Sequence, residues 1–191
     1  TTSNQGLSTT VTQSGTNLPP RDSRKTLNSQ GQTLSVSEGL GSSTPATTTY
    51  LYDVWGNLSR VTGPSGIPET MAYDLRGRKT VLDNPDSGRW TYQSNGLGEL
   101  VRQTDAKGQT TRQFYDALGR LIERREHPGA ESTTPFVTVW SYDRYADGSA
   151  CNQGLGKLCE VRSATVSRSG LLPGSPLDLP PGPGNSLVRQ I

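Results

Sequence analysis

Over most of the chain, apolar and aromatic residues alternate with small or polar ones in short stretches. Tyr50 and Thr48 stand two and four residues before Tyr52, Met71 and Glu69 before Tyr73, and Tyr92 and Trp90 before Ser94. Gln113 and Thr111 precede Tyr115 in the same way, as Trp140 and Thr138 precede Tyr142. Positions two apart share one face of a strand, so each set predicts a strand with one aromatic or β-branched face. The intervening residues, such as Thr49, Ala72, Thr91 and Ser141, are small or polar. A second alternation begins at Leu58 and Arg60, at Leu100 and Arg102, and at Leu121 and Glu123. Apolar residues at helical spacing do not form a stretch of comparable length.

Between paired alternations lies a recurring heptapeptide. It reads Tyr52-Asp53-Val54-Trp55-Gly56-Asn57-Leu58, then Tyr73-Asp74-Leu75-Arg76-Gly77-Arg78-Lys79, Ser94-Asn95-Gly96-Leu97-Gly98-Glu99-Leu100 and Tyr115-Asp116-Ala117-Leu118-Gly119-Arg120-Leu121. Gly56, Gly77, Gly98 and Gly119 are 21 residues apart, and a second glycine (Gly66, Gly88, Gly108, Gly129) follows each after 10 or 11. Each Y-D-x-x-G-x-L unit thus holds two turns and two strands, a hairpin. Asp53, Asp74, Asn95, Asp116 and Asp143 are read as turn residues that accept hydrogen bonds from amides two or three residues on, with the glycine at positive φ. The tyrosines admit two readings: packing anchors on neighbouring repeats, or an aromatic ladder for sugars. Two further units are degenerate. Asn28-Ser29-Gln30-Gly31 resembles an earlier turn, its extra residues falling in a loop over 41–46. Tyr142-Asp143 is separated from Gly156-Lys157-Leu158 by an insertion holding Cys151.

Three regions follow: a Ser/Thr/Gln-rich frayed or partial repeat over 1–25, a repeat region over 26–162 that is clearest over 49–128, and a Pro/Gly-rich irregular tail over 163–191. With 30% hydrophobic residues the core is expected to be thin. The net charge of +2 is too small and dispersed for a nucleic-acid footprint, and no run reaches the roughly 18 apolar residues of a membrane helix. The first residue is Thr and Met71 is the sole methionine, so the chain is read as less than a complete translation product, without a signal peptide in its opening residues. Cys151 and Cys159 are too few for structural zinc and wrongly spaced for a CxxC site. Either a disulfide staples the long turn or both thiols are free.

The repeated residues resemble the Rhs/YD-repeat family, which includes bacterial Rhs proteins, wall-associated repeat proteins, shell-forming components of insecticidal toxin complexes and the teneurins. Ser94, Asn95 and Lys79 depart from the pattern. The resemblance implies an all-β fold of tandem β-hairpins in a curved, open antiparallel sheet, a strip of the type that winds into a shell. It implies a non-catalytic structural role in enclosing or presenting a polymorphic toxin domain, and a secreted or cell-envelope location. The implied partners are further YD repeats of a parent chain and an encapsulated toxin domain. Toxin-bearing members carry an Asp-Pro-x-Gly-type cleavage core, which Asp178-Leu179-Pro180-Pro181-Gly182 matches only superficially, so no protease function is carried over.

No metal or cofactor site and no enzymatic constellation is expected. His127, the sole histidine, lies in Glu126-His127-Pro128-Gly129 and is read as a solvated turn residue. The alternative to the wall reading is an extracellular platform for a glycan or cell-surface partner, built from Trp55, Trp90, Trp140 and the tyrosines. Trp55 shares its slot with Leu97, Leu118 and Leu155, which is read as an apolar packing position. Five or six hairpins, 10–12 strands in all, are expected to form a strip with open edges.

Overall fold

A computed structural model describes residues 2–5, 7–15, 18–40, 42–129, 134–151, 155–165 and 186–188. The fold is all-β, and no helix occurs among these residues. It divides into two units, Thr1–Arg89 and Trp90–Ile191. The first holds β1 (Thr2–Gln5), β2 (Ser8–Gly15), β3 (Leu18–Leu27), β4 (Thr33–Glu38), β5 (Ala46–Tyr52), β6 (Leu58–Thr62), β7 (Pro68–Tyr73) and β8 (Lys79–Asn84). The second comprises most of β9 (Gly88–Ser94), then β10 (Leu100–Thr104), β11 (Thr110–Tyr115), β12 (Leu121–His127), β13 (Phe136–Tyr142), β14 (Leu158–Thr165) and β15 (Ser186–Val188). Within each unit the strands follow chain order in an open antiparallel sheet.

The fifteen strands among the described residues exceed the 10–12 expected. The surplus lies outside the clear repeats: β1, β2 and most of β3 fall within residues 1–25, and β15 within 163–191. Polar Ser/Thr-rich segments lack the apolar alternation by which strands are recognised, yet β-branched threonines suit a pleated surface. The Pro/Gly stretch over 166–185 lies outside the described residues.

Register places the predicted faces. Tyr50 faces Val61, which faces Glu69, and Met71 faces Leu82. In the second unit Gln113 faces Arg124, Arg124 faces Thr138, and Trp140 faces Val161. At each YD turn the register slips by one, between Leu51 and Tyr52, Ala72 and Tyr73, Phe114 and Tyr115, and Ser141 and Tyr142. The extra residue sits on the outgoing strand, at Ser59, Thr80, Ile122 and Cys159, as a β-bulge that strengthens local twist.

The core is thin. Among the described residues the buried apolar side chains are Pro135, Val137 and Cys159, against buried Thr110, Glu123, Arg125, Thr138 and Arg162. Glu123 and Arg125, two apart on β12, form a buried ion pair, and the Arg125 guanidinium lies 4.6 Å from the Phe114 ring centroid. Pairing also lines up Arg102, Arg112 and Arg125 across β10, β11 and β12. Charges dispersed in sequence are here brought together by register.

Candidate functional site

The repeated chemistry is concentrated in the YD turns, and it obeys one bonding scheme. At Asp53 the amide donates to Asn57 O (2.9 Å), and Gly56 N donates to Asp53 O (3.1 Å). Asp53 Oδ1 accepts from the amides of Trp55 and Asn57 at 3.0 and 2.8 Å. The same pairs recur at Asp74, Asn95 and Asp116, and at the degenerate Asn28. The first residue is therefore an Asx that holds two amides. The glycine closes the turn in the left-handed region, φ +96° at Gly98 and +75° at Gly119, where an L side chain is strained.

The fifth residue of each turn completes it, and the sequence reading missed this position. Asp53 Oδ2 accepts from Asn57 Nδ2 at 2.9 Å, and Asp74 and Asp116 each accept from an arginine, Arg78 and Arg120, at 2.6 Å. Where the Asx is asparagine the polarity reverses: Asn95 Nδ2 donates to Glu99 at 2.6 Å and Asn28 Nδ2 to Gln32 at 2.7 Å. Acidic Asx is met by a donor, amide Asx by an acceptor. Asp53, Asp74 and Asp116 are accordingly held below the usual carboxylate range, chiefly by the Asn57 side chain, the Arg78 guanidinium and the Arg120 amide respectively.

The tyrosines of the YD slot each fasten their turn to the one before. Tyr73 Oη donates to Leu58 O (2.9 Å), Tyr115 Oη to Leu100 O (3.0 Å) and Tyr142 Oη to Leu121 O (3.1 Å). Tyr52 Oη donates to Thr33 O at 2.9 Å, the equivalent position after the Asn28 turn. The acceptor is always the backbone of the Leu slot, so the tyrosines are both packed bodies and polar tethers. The fifth-position side chains reach the next turn too. Gln32 Nε2 donates to Gly56 O at 3.0 Å, and Arg120 pairs with Asp143 at 3.0 Å while lying 4.5 Å from the Tyr142 ring centroid.

The insertion keeps part of this scheme, with Asp143 O accepting from Cys151 N at 3.3 Å in place of the glycine amide. Asp143 N donates to Lys157 O at 3.2 Å, and Asp143 Oδ1 accepts from Gly156 N, so Lys157 and Gly156 fill the fifth and glycine positions across the inserted residues. That amide, with Arg120, holds the Asp143 carboxyl below its usual range. Asp143 itself adopts φ +66°. Cys151 and Cys159 are joined by a disulfide with Cα atoms 5.7 Å apart, linking the base of the insertion to the bulge position of β14. Leu158 opens β14 opposite Tyr142.

Two expectations require correction. The slot of Trp55, Leu97, Leu118 and Leu155 is not a packing position in this structure: these residues are 69, 84, 76 and 89% exposed. A residue third in a hairpin turn projects beyond the sheet, where nothing of its own repeat covers it. His127 is not in the turn but ends β12, opposite Thr110, and is half-buried. It lines an open cleft of about 570 Å³ with Gln109, Thr111, Glu126, Phe136 and others. Trp90 and Trp140 lie within strands, and Arg124 sits 5.8 Å from the Trp140 ring centroid. Among the described residues no group of three or more His, Cys, Asp or Glu is arranged to hold a metal, and no helix is long and apolar enough to cross a membrane.

Turns of one scheme, tyrosine tethers and chain-order strands define a tandem hairpin-repeat protein. Residues 52–89 and 95–132 match the RHS Repeat family model, so these segments of the chain are Rhs/YD repeats. It is 31% identical over 120 residues to a probable deoxyribonuclease RhsB of Dickeya dadantii (strain 3937), covering 48% of this chain and 8% of that protein. It is 40% identical over 65 residues to double-stranded DNA deaminase toxin A of Burkholderia cenocepacia (strain H111), covering 33% of this chain and 5% of that one. The fold is similar to the Photorhabdus luminescens Tc holotoxin pore (TM-score 0.57, 16% identity, 74% of this chain and 8% of that). It is also similar to TcdB2-TccC3 (TM-score 0.58, 17% identity, 75% and 8%). The chain is a structural repeat segment, and it spans less than a tenth of each of these relatives.

Proposed function

We propose that this chain is a non-catalytic wall segment of a secreted or cell-envelope Rhs/YD-repeat protein, contributing to a β-shell that encloses or presents a toxin domain. The observation that carries the reading is the use of the recurring side chains. Asx, fifth residue, glycine and tyrosine are all engaged within a turn or with the preceding turn, which makes each repeat a building unit added to the last. The two named relatives are a nuclease and a deaminase, different chemistries that share similarity to this repeat segment. That supports placing catalysis elsewhere in such proteins and wall-building here.

The test is protease protection of the toxin domain in the parent protein. Deleting residues 56–97, two whole repeats, is expected to make that domain cleavable under conditions where the intact parent shields it. Unchanged cleavage would remove the enclosing role. Selective retention of folded protein on a glycan array, lost in Trp90→Ala or Trp140→Ala, would replace the wall reading by the binding one.

A further inference from the structure

One YD turn is fastened differently from the others. At Asn28, Asp53, Asp74, Asn95 and Asp116 the glycine amide donates to the Asx carbonyl, and two amides hold the Asx oxygen. At Asp143 the carbonyl accepts instead from Cys151 N at 3.3 Å, and the carboxylate is met by Gly156 N and by Arg120 of the preceding turn. Asp143 is also, among the described residues, the one non-glycine residue in the left-handed region, at φ +66°, where a side chain crowds the backbone. The insertion itself is a hairpin closed on itself, with Tyr145 N donating to Ser149 O (3.0 Å) and Gly148 N to Tyr145 O (2.9 Å). Those bonds hold the hairpin together without holding it to the sheet. Among the described residues it is attached to β14 by the bond from Ala146 N to Glu160 (3.3 Å) and by the Cys151–Cys159 disulfide.

We infer that this disulfide is a redox latch, whose reduction releases the insertion and opens the Asp143 turn while the other YD turns stay closed. The sequence has two cysteines, both here, so the other turns carry no such bond. Cys159 is buried and Cys151 half-buried, so an incoming thiolate reaches Cys151 Sγ first. A dithiol reductant attacks that sulfur, the S–S bond breaks, and its electron pair leaves on Cys159 Sγ, which takes a proton from water. The second thiol of the reductant then displaces Cys151 as a thiolate, which is protonated in turn, and the reductant departs as a disulfide. Two electrons and two protons have passed to the cysteines. The new Cys159 thiol has an acceptor in reach, Lys157 O at 3.6 Å, the carbonyl that also takes the Asp143 amide at 3.2 Å. With the covalent tie gone, ordering Cys151 opposite Asp143 costs chain entropy that a 3.3 Å bond must offset, and relief of the left-handed Asp143 conformation favours opening. On the wall-segment reading, on which this consequence rests, a shell in oxidising surroundings is closed at this turn and opens there on entering a reducing compartment.

Hydrogen exchange of the full chain before and after dithiothreitol, with thiols counted by maleimide labelling, tests the latch. Reduction is expected to expose both thiols and to lower the protection of the Asp143, Cys151 and Gly156 amides at least about tenfold, leaving those of Trp55, Asn57, Leu118 and Arg120 unchanged. Reoxidation should restore protection. Cys151→Ser/Cys159→Ser should match the reduced protein with or without dithiothreitol, and the reversible wild-type measurement stands whether or not this variant folds. Thiols already free before treatment, a bond that resists dithiothreitol, protection kept at Asp143, Cys151 and Gly156 after reduction, or equal loss at every YD turn each overturns the inference. The measurement involves no toxin domain, so the latch can fail while protease protection in the parent upholds the wall reading, and the reverse.

Discussion

In each unit the connections of the two edges differ in how they are fastened. The turns at Asn28, Asp53, Asp74, Asn95 and Asp116 share one scheme of two backbone bonds, two amides held by an Asx oxygen and a fifth-residue partner. Across the strands, Gly63–Gly66 closes with one bond of 3.0 Å, and Asn84 accepts from Asp86 and Ser87 at 2.9 and 3.0 Å without a fifth partner. Asp105 reproduces the backbone and Asx bonds of a YD turn, and Tyr hydroxyl tethers are found at the YD edge. The 21-residue period is therefore the period of one edge, which couples each repeat to the last. The other edge only has to return the chain, so its spacing drifts between 10 and 11 residues.

The sharpest way to break this comparison is to place one substitution at both edges. Gly119 combines φ +75° with a would-be Cβ only 3.2 Å from Glu99 Oε1 of the preceding turn. Gly119→Val is expected to cost at least about 2 kcal/mol and to lower the urea midpoint accordingly. Gly63 is outside the left-handed region with open space around its Cβ position, so Gly63→Val should change stability by less than about 0.5 kcal/mol. Equal losses at the two sites would show that the edges are fastened alike.

A smaller effect sharpens the role of the fifth residue. Asn95→Asp would set a carboxylate against the Glu99 carboxylate at the present 2.6 Å contact, replacing a donor by a like charge. The expected loss is about 1–2 kcal/mol. Adding Glu99→Arg recreates the Asp74–Arg78 arrangement and is expected to recover most of it, a coupling of about 1 kcal/mol in a double-mutant cycle read by urea denaturation. Additive effects of the two changes would mean that the fifth side chain is a bystander.

Why the fifth residue escaped the sequence reading is instructive. Gly56, Gly77, Gly98 and Gly119 repeat as identities and were legible. The fifth position runs Gln32, Asn57, Arg78, Glu99, Arg120, and only its complementarity to the Asx is constant. The tyrosine slot was legible as an anchor, but its hydroxyl acts on a backbone carbonyl, a partner that has no side-chain identity to detect. Strand faces could be read from alternation, whereas the Arg102, Arg112, Arg125 row required pairing across three strands. Leu97 and Leu118 were misread because recurrence and apolar character point to packing in general. Only their place in the turn shows that they project beyond the sheet and stay exposed.

The mildest expected effect separates turns of the same edge by chemistry. The folded-state pKa values of Asp53, Asp74, Asp116 and Asp143 are lowered, so their charged forms contribute stability that is present above the ordinary carboxylate value and lost as pH falls through the folded one. The Asn95 turn has an amide oxygen in the same place, and the bonds from Leu97 N and Glu99 N go to an acceptor that does not titrate. Acidification below about pH 4 should thus loosen the amides of Trp55, Asn57, Arg76, Arg78, Leu118 and Arg120 first, while those of Leu97 and Glu99 keep their protection. The carboxylates are solvent-accessible, so the change is local and the sheet itself is expected to survive it. Hydrogen-exchange protection factors, compared turn by turn across the acid range, provide the measurement. Asp116→Asn should abolish the pH step at Leu118 and leave the one at Trp55 in place. Uniform loss of protection in all YD turns would show that acid acts on the sheet as a whole, and the distinction between aspartate and asparagine turns would fall.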